Sequence, residues 1–266
     1  NYTITDQSTT TGNIIAKTLT ATAAASNKTY NGNTTATVTL SFSGLIGSET
    51  LGQSVTAAFN NKNVGTGKTV NVSAITLSDG SNGGLASNYT ISTGQTTTAN
   101  ITAKALSLSG LTADDKEYDG GTVATISSYG SLSGVITGDT VTLNTDSADP
   151  DFNNKNVGSG KTVTVQSLAL SGDDASNYSI ANQTTTADIT VKTLTATASA
   201  SDKVYNGNTT ASVTLTLSGV LDGETVTSSN SSIFNNKNVG TGKTVTVSAI
   251  TLSDGSNGGL ASNYSI

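Results

Sequence analysis

Short runs in which apolar and polar residues alternate follow one another along the whole chain. In residues 36–42, for example, Val38, Leu40 and Phe42 alternate with threonine and serine. A period of two residues predicts β-strands with one buried face. Asn-Gly pairs between such runs, as at Asn31-Gly32, predict tight hairpin turns. Together these features predict an all-β fold.

The same pattern occurs three times. The segment FNNKNVGTGKTV at residues 59–70 recurs unchanged at residues 234–245 and with one substitution at residues 152–163. A Lys-x-Leu segment, a Lys-x-Tyr-Asn/Asp-Gly turn and an Asn-Tyr pair also recur, with spacings of 86 to 89 residues. A unit of about 87 residues suits a compact β-sandwich better than one coil of a β-helix. The chain is therefore predicted to be a tandem array.

Each unit contains seven or eight predicted strands, which favours an immunoglobulin-like Greek-key β-sandwich. The alternation changes phase at one place in every unit. Val70 and Val72 share one phase, whereas Ile75 and Leu77 share the other. A one-residue slip at the same place predicts a β-bulge or a strand that crosses between sheets.

The unit boundaries fall where one last strand meets the next first strand. They give residues 17–103, 104–190 and 191–266 as three β-sandwich repeats, and residues 1–16 as the closing strand of an upstream repeat. The third repeat then lacks a closing strand of its own. Because no Gly/Ser linker separates the repeats, we expect an elongated, semi-rigid rod.

Nine aromatic residues occupy equivalent positions and are predicted to be structural anchors. The phenylalanine that opens the shared segment is expected to be buried in every repeat. The tyrosine of each Asn-Tyr pair is expected to bond the backbone through its hydroxyl, as in a tyrosine corner. The nine residues are Tyr30, Phe59, Tyr89, Tyr118, Phe152, Tyr178, Tyr205, Phe234 and Tyr264.

The amino-acid composition reduces the number of possible functions. Twelve Lys or Arg and 18 Asp or Glu residues give a net charge of −6, and the chain has no Cys, His, Met or Trp. A mildly acidic chain without a basic run is unsuited to nucleic acid or to an anionic membrane. No apolar run approaches the roughly 18–20 residues that span a bilayer. Without a histidine or a nucleophile–base pair, we expect neither enzyme activity nor a cofactor.

One lysine recurs inside the shared segment, as Lys62, Lys155 and Lys237. We expect its stem to pack on the domain while its amine reaches solvent. The alternative is an isopeptide crosslink to a neighbouring asparagine beside an acid. However, the sequence keeps no acid at one fixed offset from this lysine in all three repeats.

Two further motifs have simpler structural interpretations. Asp114, Asp115, Asp173 and Asp174 are candidate calcium ligands, but they match no EF-hand loop, and solvated loops are the alternative. Residues 65–69, Gly-Thr-Gly-Lys-Thr, look like part of a phosphate-binding loop. A lysine stands where that motif needs its first glycine, and a strand follows where it needs a helix.

The segments Tyr-Asp-Gly at residues 118–120, Phe-Asn-Asn-Lys-Asn-Val-Gly and Ala-Ser-Asn-Tyr resemble the YDG repeat family, which is related to the MBG repeats. The resemblance covers the whole chain, three times over. It implies repeats of a large bacterial surface protein, such as a filamentous-haemagglutinin-like, two-partner-secreted exoprotein or a biofilm-matrix adhesin. It brings no catalytic residues with it.

We therefore expect a structural stalk or fibre repeat of an extracellular bacterial adhesin or biofilm-matrix protein, without catalysis. The expected partners are neighbouring repeats of the same array and, beyond them, other copies end to end or extracellular glycans. One alternative is a glycan- or partner-binding module. Another is a filament subunit in which residues 1–16 of one copy complete the third repeat of the next.

Overall fold

The computed structural model describes residues 1–3 and 9–266, and it is all-β apart from three short 3-10 turns. The chain forms two compact units that do not follow the repeat boundaries. The first consists of Asn1–Leu106, Gly134–Thr142 and Leu170–Ser179. The second consists of Ser107–Ser133, Leu143–Ala169 and Ile180–Ile266.

Repeat 1 is built from seven strands in two sheets. One sheet has the order β3-β1-β6, and the other has the order β2-β7-β5-β4. The strands are β1 (Lys17–Ala25), β2 (Lys28–Thr29), β3 (Val38–Ser43), β4 (Leu51–Phe59), β5 (Gly65–Asp79), β6 (Tyr89–Ile91) and β7 (Thr96–Thr102). This two-sheet arrangement is compatible with an immunoglobulin-like sandwich.

Repeats 2 and 3 use the same sequence motifs, and the strand that follows the shared segment is shorter in both than in repeat 1. Repeat 2 contains β8 (Lys104–Ser109), β9 (Thr112–Ala113), β10 (Lys116–Glu117), β11 (Ile126–Ser128), β12 (Ser131–Ser133), β13 (Thr142–Asn144), β14 (Asp149–Phe152), β15 (Gly158–Gln166), β16 (Ala169–Ser171), β17 (Tyr178–Ile180) and β18 (Gln183–Thr190). Repeat 3 contains β19 (Lys192–Thr193), β20 (Thr195–Ala200), β21 (Val213–Ser218), β22 (Val226–Phe234), β23 (Val245–Asp254) and β24 (Tyr264–Ser265). The 3-10 turns are Ala86–Asn88, Ala175–Asn177 and Ala261–Asn263.

Strands from the beginning and the end of each repeat pair in parallel. In repeat 1, β1 pairs with β6, and β2 pairs with the closing strand β7. In repeat 2, β10 pairs with the closing strand β18, and in repeat 3, β19 pairs with β24. The remaining strand pairs with a described register are antiparallel.

The predicted phase slip is a β-bulge in repeats 1 and 3. In repeat 1 the register between β4 and β5 shifts opposite Thr56 and Ala57, and Ser73 donates its hydroxyl to the Thr56 carbonyl. The register between β22 and β23 shifts at the equivalent place, where Ala249 has a φ of 49°. In repeat 2 the strand is interrupted instead, between β15 and β16.

Inward-facing side chains of the two sheets form the core of repeat 1, and the same positions form the core of repeat 2. The exposed fraction is 3% for both Phe59 and Phe152 and 1% for both Tyr30 and Tyr118. Phe234 departs from the expected burial, since it is only half-buried. Tyr205 is 57% exposed. The physical reason is that no strand equivalent to β7 or β18 lies beside these two residues in the described chain.

Residues 9–16 form no strand and are exposed throughout. The predicted upstream closing strand, residues 1–16, also includes residues 4–8, which lie outside the described residues. None of the helical turns between residues 9 and 266 is long and apolar enough to cross a membrane.

Candidate functional site

A carboxylate from repeat 2 lies among side chains of repeat 1, entirely within the first compact unit. Asp139 Oδ1 is 2.9 Å from Lys62 Nζ, and Asp139 Oδ2 accepts hydrogen bonds from the hydroxyls of Tyr30 at 2.7 Å and Tyr178 at 2.6 Å. The Asp139 side chain is only 4% exposed. We name Tyr30, Lys62, Asp139 and Tyr178 the first junction cluster. Both oxygens of its carboxylate are occupied by the protein itself.

The same arrangement recurs within the second compact unit. Glu224 Oε1 accepts hydrogen bonds from Lys155 Nζ and the Tyr118 hydroxyl, both at 2.7 Å, and Oε2 accepts one from the Tyr264 hydroxyl at 2.7 Å. These four residues are the second junction cluster. Tyr118 and Lys155 belong to repeat 2, whereas Glu224 and Tyr264 belong to repeat 3.

Aromatic contacts accompany the ionic ones. The rings of Tyr30 and Tyr178 meet edge to face, with centroids 5.3 Å apart, and those of Tyr118 and Tyr264 do so at 5.5 Å. This geometry places the positive edge of one ring against the negative face of the other. Each junction therefore combines aromatic packing with charge-assisted hydrogen bonds.

The cluster groups stabilise one another's charge states. Hydrogen bonds from Tyr178 above all, and from Lys62 and Tyr30, outweigh burial and lower the pKa of Asp139 to about 2. The hydrogen bond to Asp139 raises the pKa of Lys62. Burial, reinforced by Asp139, raises the pKa of Tyr178 to about 12. The carboxylate and the ammonium are thus both charged near neutral pH, while the phenol keeps its proton.

The pKa values in the second junction cluster shift in the same directions. Burial opposes ionisation of Glu224, but hydrogen bonds from Lys155, Tyr118 and Tyr264 prevail and lower its pKa. Burial, together with Glu224, raises the pKa of Tyr264 to about 12.

A buried asparagine joins the backbones at each junction. The 3-10 turn Ala175–Asn177 precedes β17 and presents Asn177, whose Oδ1 accepts the backbone N–H of Val64 at 2.9 Å. Asn263 accepts the N–H of Val157 at 3.0 Å in the same way. The two asparagines are 2% and 0% exposed. Because a buried amide without a partner is costly, these bonds fix the register of one repeat on the next.

A glycine lets the repeats approach closely. Gly32 has a φ of 79°, and a Cβ built on it would lie 3.0 Å from Ile136 Cγ2. Gly120, with a φ of 78°, stands in the same relation to Leu221 Cδ1. Both the left-handed backbone and the lack of space require glycine in the Tyr-Asn/Asp-Gly turn.

The hydroxyl of each Asn-Tyr tyrosine also accepts a backbone N–H of its own repeat. The donors are Ile46 for Tyr89, Ile136 for Tyr178 and Leu221 for Tyr264. Each tyrosine therefore connects a loop of its repeat to a carboxylate of the same repeat.

Repeats 1 and 3 each also contain part of such a cluster. In repeat 1, Glu49 accepts a hydrogen bond from the Tyr89 hydroxyl, and it has no lysine partner within the described residues. In repeat 3, Tyr205 is 57% exposed and Val239, the counterpart of Val64, is 89% exposed. Lys237 occupies the position of Lys62 and is also exposed.

A second recurring lysine forms hydrogen bonds with the Tyr-Asn/Asp-Gly turn. Lys28 Nζ donates to Asn31 Oδ1 at 2.8 Å and to the Asn33 carbonyl at 2.7 Å, and it lies 5.5 Å above the centre of the Phe59 ring. Lys116 and Lys203 bind their own turns in the same way. This lysine position connects the turn to the core phenylalanine.

The structure corrects the expectation for the lysine of the shared segment. The amines of Lys62 and Lys155 do not simply reach solvent, because each is paired with a carboxylate of the following repeat. Their acidic partners lie 77 and 69 residues further along the chain. These distances differ because the intervening loops differ in length, so a search at one fixed offset from the lysine misses both acids.

Asp139, Glu224 and Glu49 were therefore missing from the predicted site residues. A signal for them exists when the spacing is counted from the Asn-Tyr tyrosine. The acid precedes this tyrosine by 40 residues in repeat 1, 39 in repeat 2 and 40 in repeat 3.

The four candidate calcium ligands do not come together. Asp115 Oδ1 accepts the Asp188 N–H, and Asp174 accepts the Thr140 N–H and lies 3.3 Å from Lys62. Asp114 and Asp173 are exposed. Between residues 9 and 266, no group of three acidic side chains is arranged to hold a metal ion.

Comparison with known proteins identifies the repeats. The YDG domain family matches residues 15–99, 102–187 and 190–266. No curated protein matches the chain, and no solved structure matches it. Because the three matches together cover most of the sequence, this chain belongs to the YDG domain family and consists of three YDG domains in tandem.

Proposed function

We propose that the chain is a load-bearing stalk or fibre segment of an extracellular bacterial adhesin or biofilm-matrix protein, and that it carries out no catalysis. In this role its YDG domains hold a functional region away from a surface or form the body of a matrix fibre. Its main partners are neighbouring repeats of the same array.

The parallel pairing of strands from the two ends of a repeat supports this proposal most directly. Force applied along the chain enters repeat 1 at the start of β1 and leaves it at the end of β7. Because β2 and β7 are parallel, as are β1 and β6, this force slides the paired strands past each other. The hydrogen bonds of each pair are then loaded together rather than opened one after another. Such a geometry suits resistance to extension.

The junction clusters support the same role. Their carboxylates are occupied by lysine and tyrosine side chains of the protein, which leaves no acceptor oxygen directed at a substrate. What the clusters do is attach one repeat to the next. We therefore propose that the clusters transmit force from one repeat to the next.

Single-molecule stretching of the chain from its two ends tests the proposal. Each repeat should unfold in a separate step and release on the order of 300 Å of chain, about 85 residues at roughly 3.5 Å each. Smooth extension without force peaks would refute the load-bearing role.

A second pulling direction provides the control. Ser54 and Thr76 are exposed and directly paired in the β4–β5 hairpin. Since the chain has no cysteine, Ser54→Cys and Thr76→Cys give unique attachment points. Pulling there opens the hairpin pair by pair and should need clearly less force than pulling end to end. Equal forces would show that the parallel strands carry no special load.

The proposed location has its own test. Antibodies raised against this chain should label intact cells of the organism that makes it, or the matrix around them. Labelling only after the cells are opened would contradict an extracellular role.

A further inference from the structure

The tyrosines of the first junction cluster come from neighbouring repeats and meet at their hydroxyl ends. The hydroxyls of Tyr30 and Tyr178 both donate to the same atom, Asp139 Oδ2, at 2.7 and 2.6 Å. The two rings are in edge-to-face contact, with centroids 5.3 Å apart and an interplanar angle of 75°. Because both hydroxyls point at one oxygen, the ring carbons next to the hydroxyl-bearing carbons also lie close together. All three residues belong to the first compact unit.

The second junction cluster repeats this geometry within the second compact unit. The rings of Tyr118 and Tyr264 have centroids 5.5 Å apart and an interplanar angle of 83°. Their hydroxyls donate to the two oxygens of the Glu224 carboxylate, each at 2.7 Å. The tyrosine pair thus forms with an aspartate in one junction and with a longer glutamate in the other. The pairing is therefore a property of the junction and does not depend on one loop conformation.

Phenols that touch in this way are suited to oxidative coupling. A phenol loses an electron more readily when a hydrogen-bonded base takes its proton at the same time, and each carboxylate is placed to act as that base. Two reactants held in contact also react far more readily than partners that must meet by diffusion. Burial adds selectivity, because Tyr30 is 1% exposed and Tyr178 is 6% exposed. Phenols of other molecules therefore cannot reach either ring.

We propose that each junction is a site of dityrosine crosslinking, at which a one-electron oxidant joins Tyr30 to Tyr178 and Tyr118 to Tyr264. The oxidant is a small radical or the oxidised haem of a peroxidase, and it takes electrons from the buried rings through the intervening protein. This crosslinking goes beyond the stalk role, because it depends on the ring geometry and the oxidant and not on load or location.

Coupling removes one electron and one proton from each phenol. The oxidant accepts both electrons. In the first junction the hydroxyl protons pass to Asp139 Oδ2 and then to solvent beside Lys62, whose side chain is 39% exposed. The two phenoxyl radicals form one carbon–carbon bond between the ring positions next to the oxygens. The hydrogens on these two carbons move to the oxygens as protons, which restores both aromatic rings, so the product has lost two hydrogen atoms.

The crosslink makes the attachment between neighbouring repeats covalent. It closes a loop of about 150 residues between Tyr30 and Tyr178. When the oxidised chain is stretched from its ends, this loop cannot extend. The total released length should therefore fall by on the order of 500 Å, at roughly 3.5 Å per residue. The urea concentration at the unfolding midpoint should rise, because closing a long loop restricts the unfolded chain.

Photo-oxidation of the whole chain with a ruthenium tris-bipyridyl complex and persulfate tests the proposal. We expect dityrosine fluorescence in the monomer fraction and a mass that is lower by two hydrogen atoms for each crosslink. Digestion should release linked peptides that join Tyr30 to Tyr178 and Tyr118 to Tyr264. Their yield should not change with protein concentration, whereas coupling between molecules through the exposed Tyr2 should increase with it.

Phenylalanine substitutions separate the two junctions. Tyr30→Phe keeps the ring but removes the hydroxyl, so it should abolish the product with Tyr178 and leave the Tyr118–Tyr264 product unchanged. Tyr118→Phe should do the reverse. In each variant the other junction shows that the chain has folded. Tyr129→Phe is the matched control, because Tyr129 is half-buried and lies outside both clusters, and both products should form at the wild-type yield.

Either of two results would overturn the proposal. The first is oxidation of the exposed Tyr2 or Tyr205 without a linked peptide at either junction. It would show that the oxidant was active and that the buried pairs did not couple. The second is an equal loss of both products in Tyr30→Phe and in Tyr118→Phe, which would show that coupling does not follow the geometry of each junction.

Discussion

At the scale of single residues, the junction carboxylates have the most consequential environment in the chain. Asp139 is almost completely buried, yet it accepts hydrogen bonds from two tyrosine hydroxyls and from a lysine ammonium. A buried carboxylate is tolerated only with such partners, because its desolvation is otherwise prohibitive. The repeated tyrosines and lysine supply these partners in both junctions.

Removing the charge of Asp139 should destabilise the first compact unit. Asp139→Asn leaves Lys62 without its closest anion and weakens the bonds to both tyrosines. We expect the free energy of unfolding, measured with urea, to fall by about 2 kcal/mol. Asp173→Asn is the control, since Asp173 is exposed and should change stability by less than about 0.5 kcal/mol. Similar losses in both variants would contradict the assignment.

The lowered pKa of Asp139 predicts a defined acid sensitivity. A carboxyl whose folded pKa lies below its unfolded pKa stabilises the fold fully above the unfolded value, and this contribution is lost as pH falls. For Asp139 the loss should occur between about pH 4 and pH 2. Urea unfolding measured through this range should show a smaller decrease in Asp139→Asn than in the wild type. An unchanged pH dependence would exclude Asp139 as its source.

At the scale of elements, the closing strand determines how well a repeat is completed. Its sequence occurs three times, but its surroundings differ. Ile101 and Ile189 are buried between two strands, whereas Ile14 is exposed. Burial, rather than the local sequence, should decide how much each residue contributes to stability.

Alanine substitutions test this point directly. Ile101→Ala and Ile189→Ala should each lower the free energy of unfolding by about 3 kcal/mol, because they leave cavities in a packed core. Ile14→Ala should change it by less than about 0.5 kcal/mol when measured on monomeric chain. A loss at Ile14 equal to that at Ile101 would mean that residues 9–16 are already paired within their own chain.

At the scale of the whole molecule, ionic clusters join repeat 1 to repeat 2 and repeat 2 to repeat 3. Lys62 and Asp139 both remain charged, because Asp139 raises the pKa of Lys62 and Lys62 helps to lower the pKa of Asp139. Amide formation requires a neutral amine, so this pairing opposes it. The intact mass should therefore equal that of the 26.5 kDa sequence. A smaller mass would reveal the isopeptide bond that the sequence left open.

Calcium should not stabilise the chain. Asp115 and Asp174 already accept backbone hydrogen bonds, and Asp114 and Asp173 are exposed. A cation would gain too few oxygen ligands at any of these positions. We expect the same unfolding temperature with calcium and with a chelator. A rise with calcium would restore these aspartates as ligands.

The sequence by itself determined the all-β class, the tandem repeats and the place of the bulge. These features depend on periodicity, which is local and occurs three times over. The lysine and tyrosine positions of the junctions could also be found in the sequence. They recur within short segments that have the same length in all three repeats. Periodicity fixes which residues face inward, but it does not fix what they meet.

Only the tertiary structure decided what joins one repeat to the next. Asp139 and Glu224 reach their lysines across 77 and 69 residues of chain, through loops of different length and with side chains of different length. The burial of Phe59 and the half-burial of Phe234, in identical segments, likewise depend on whether a closing strand lies alongside. Contacts between distant parts of the chain determine both the lysine–carboxylate pairs and the burial of the phenylalanine. A local sequence pattern contains no information about such contacts.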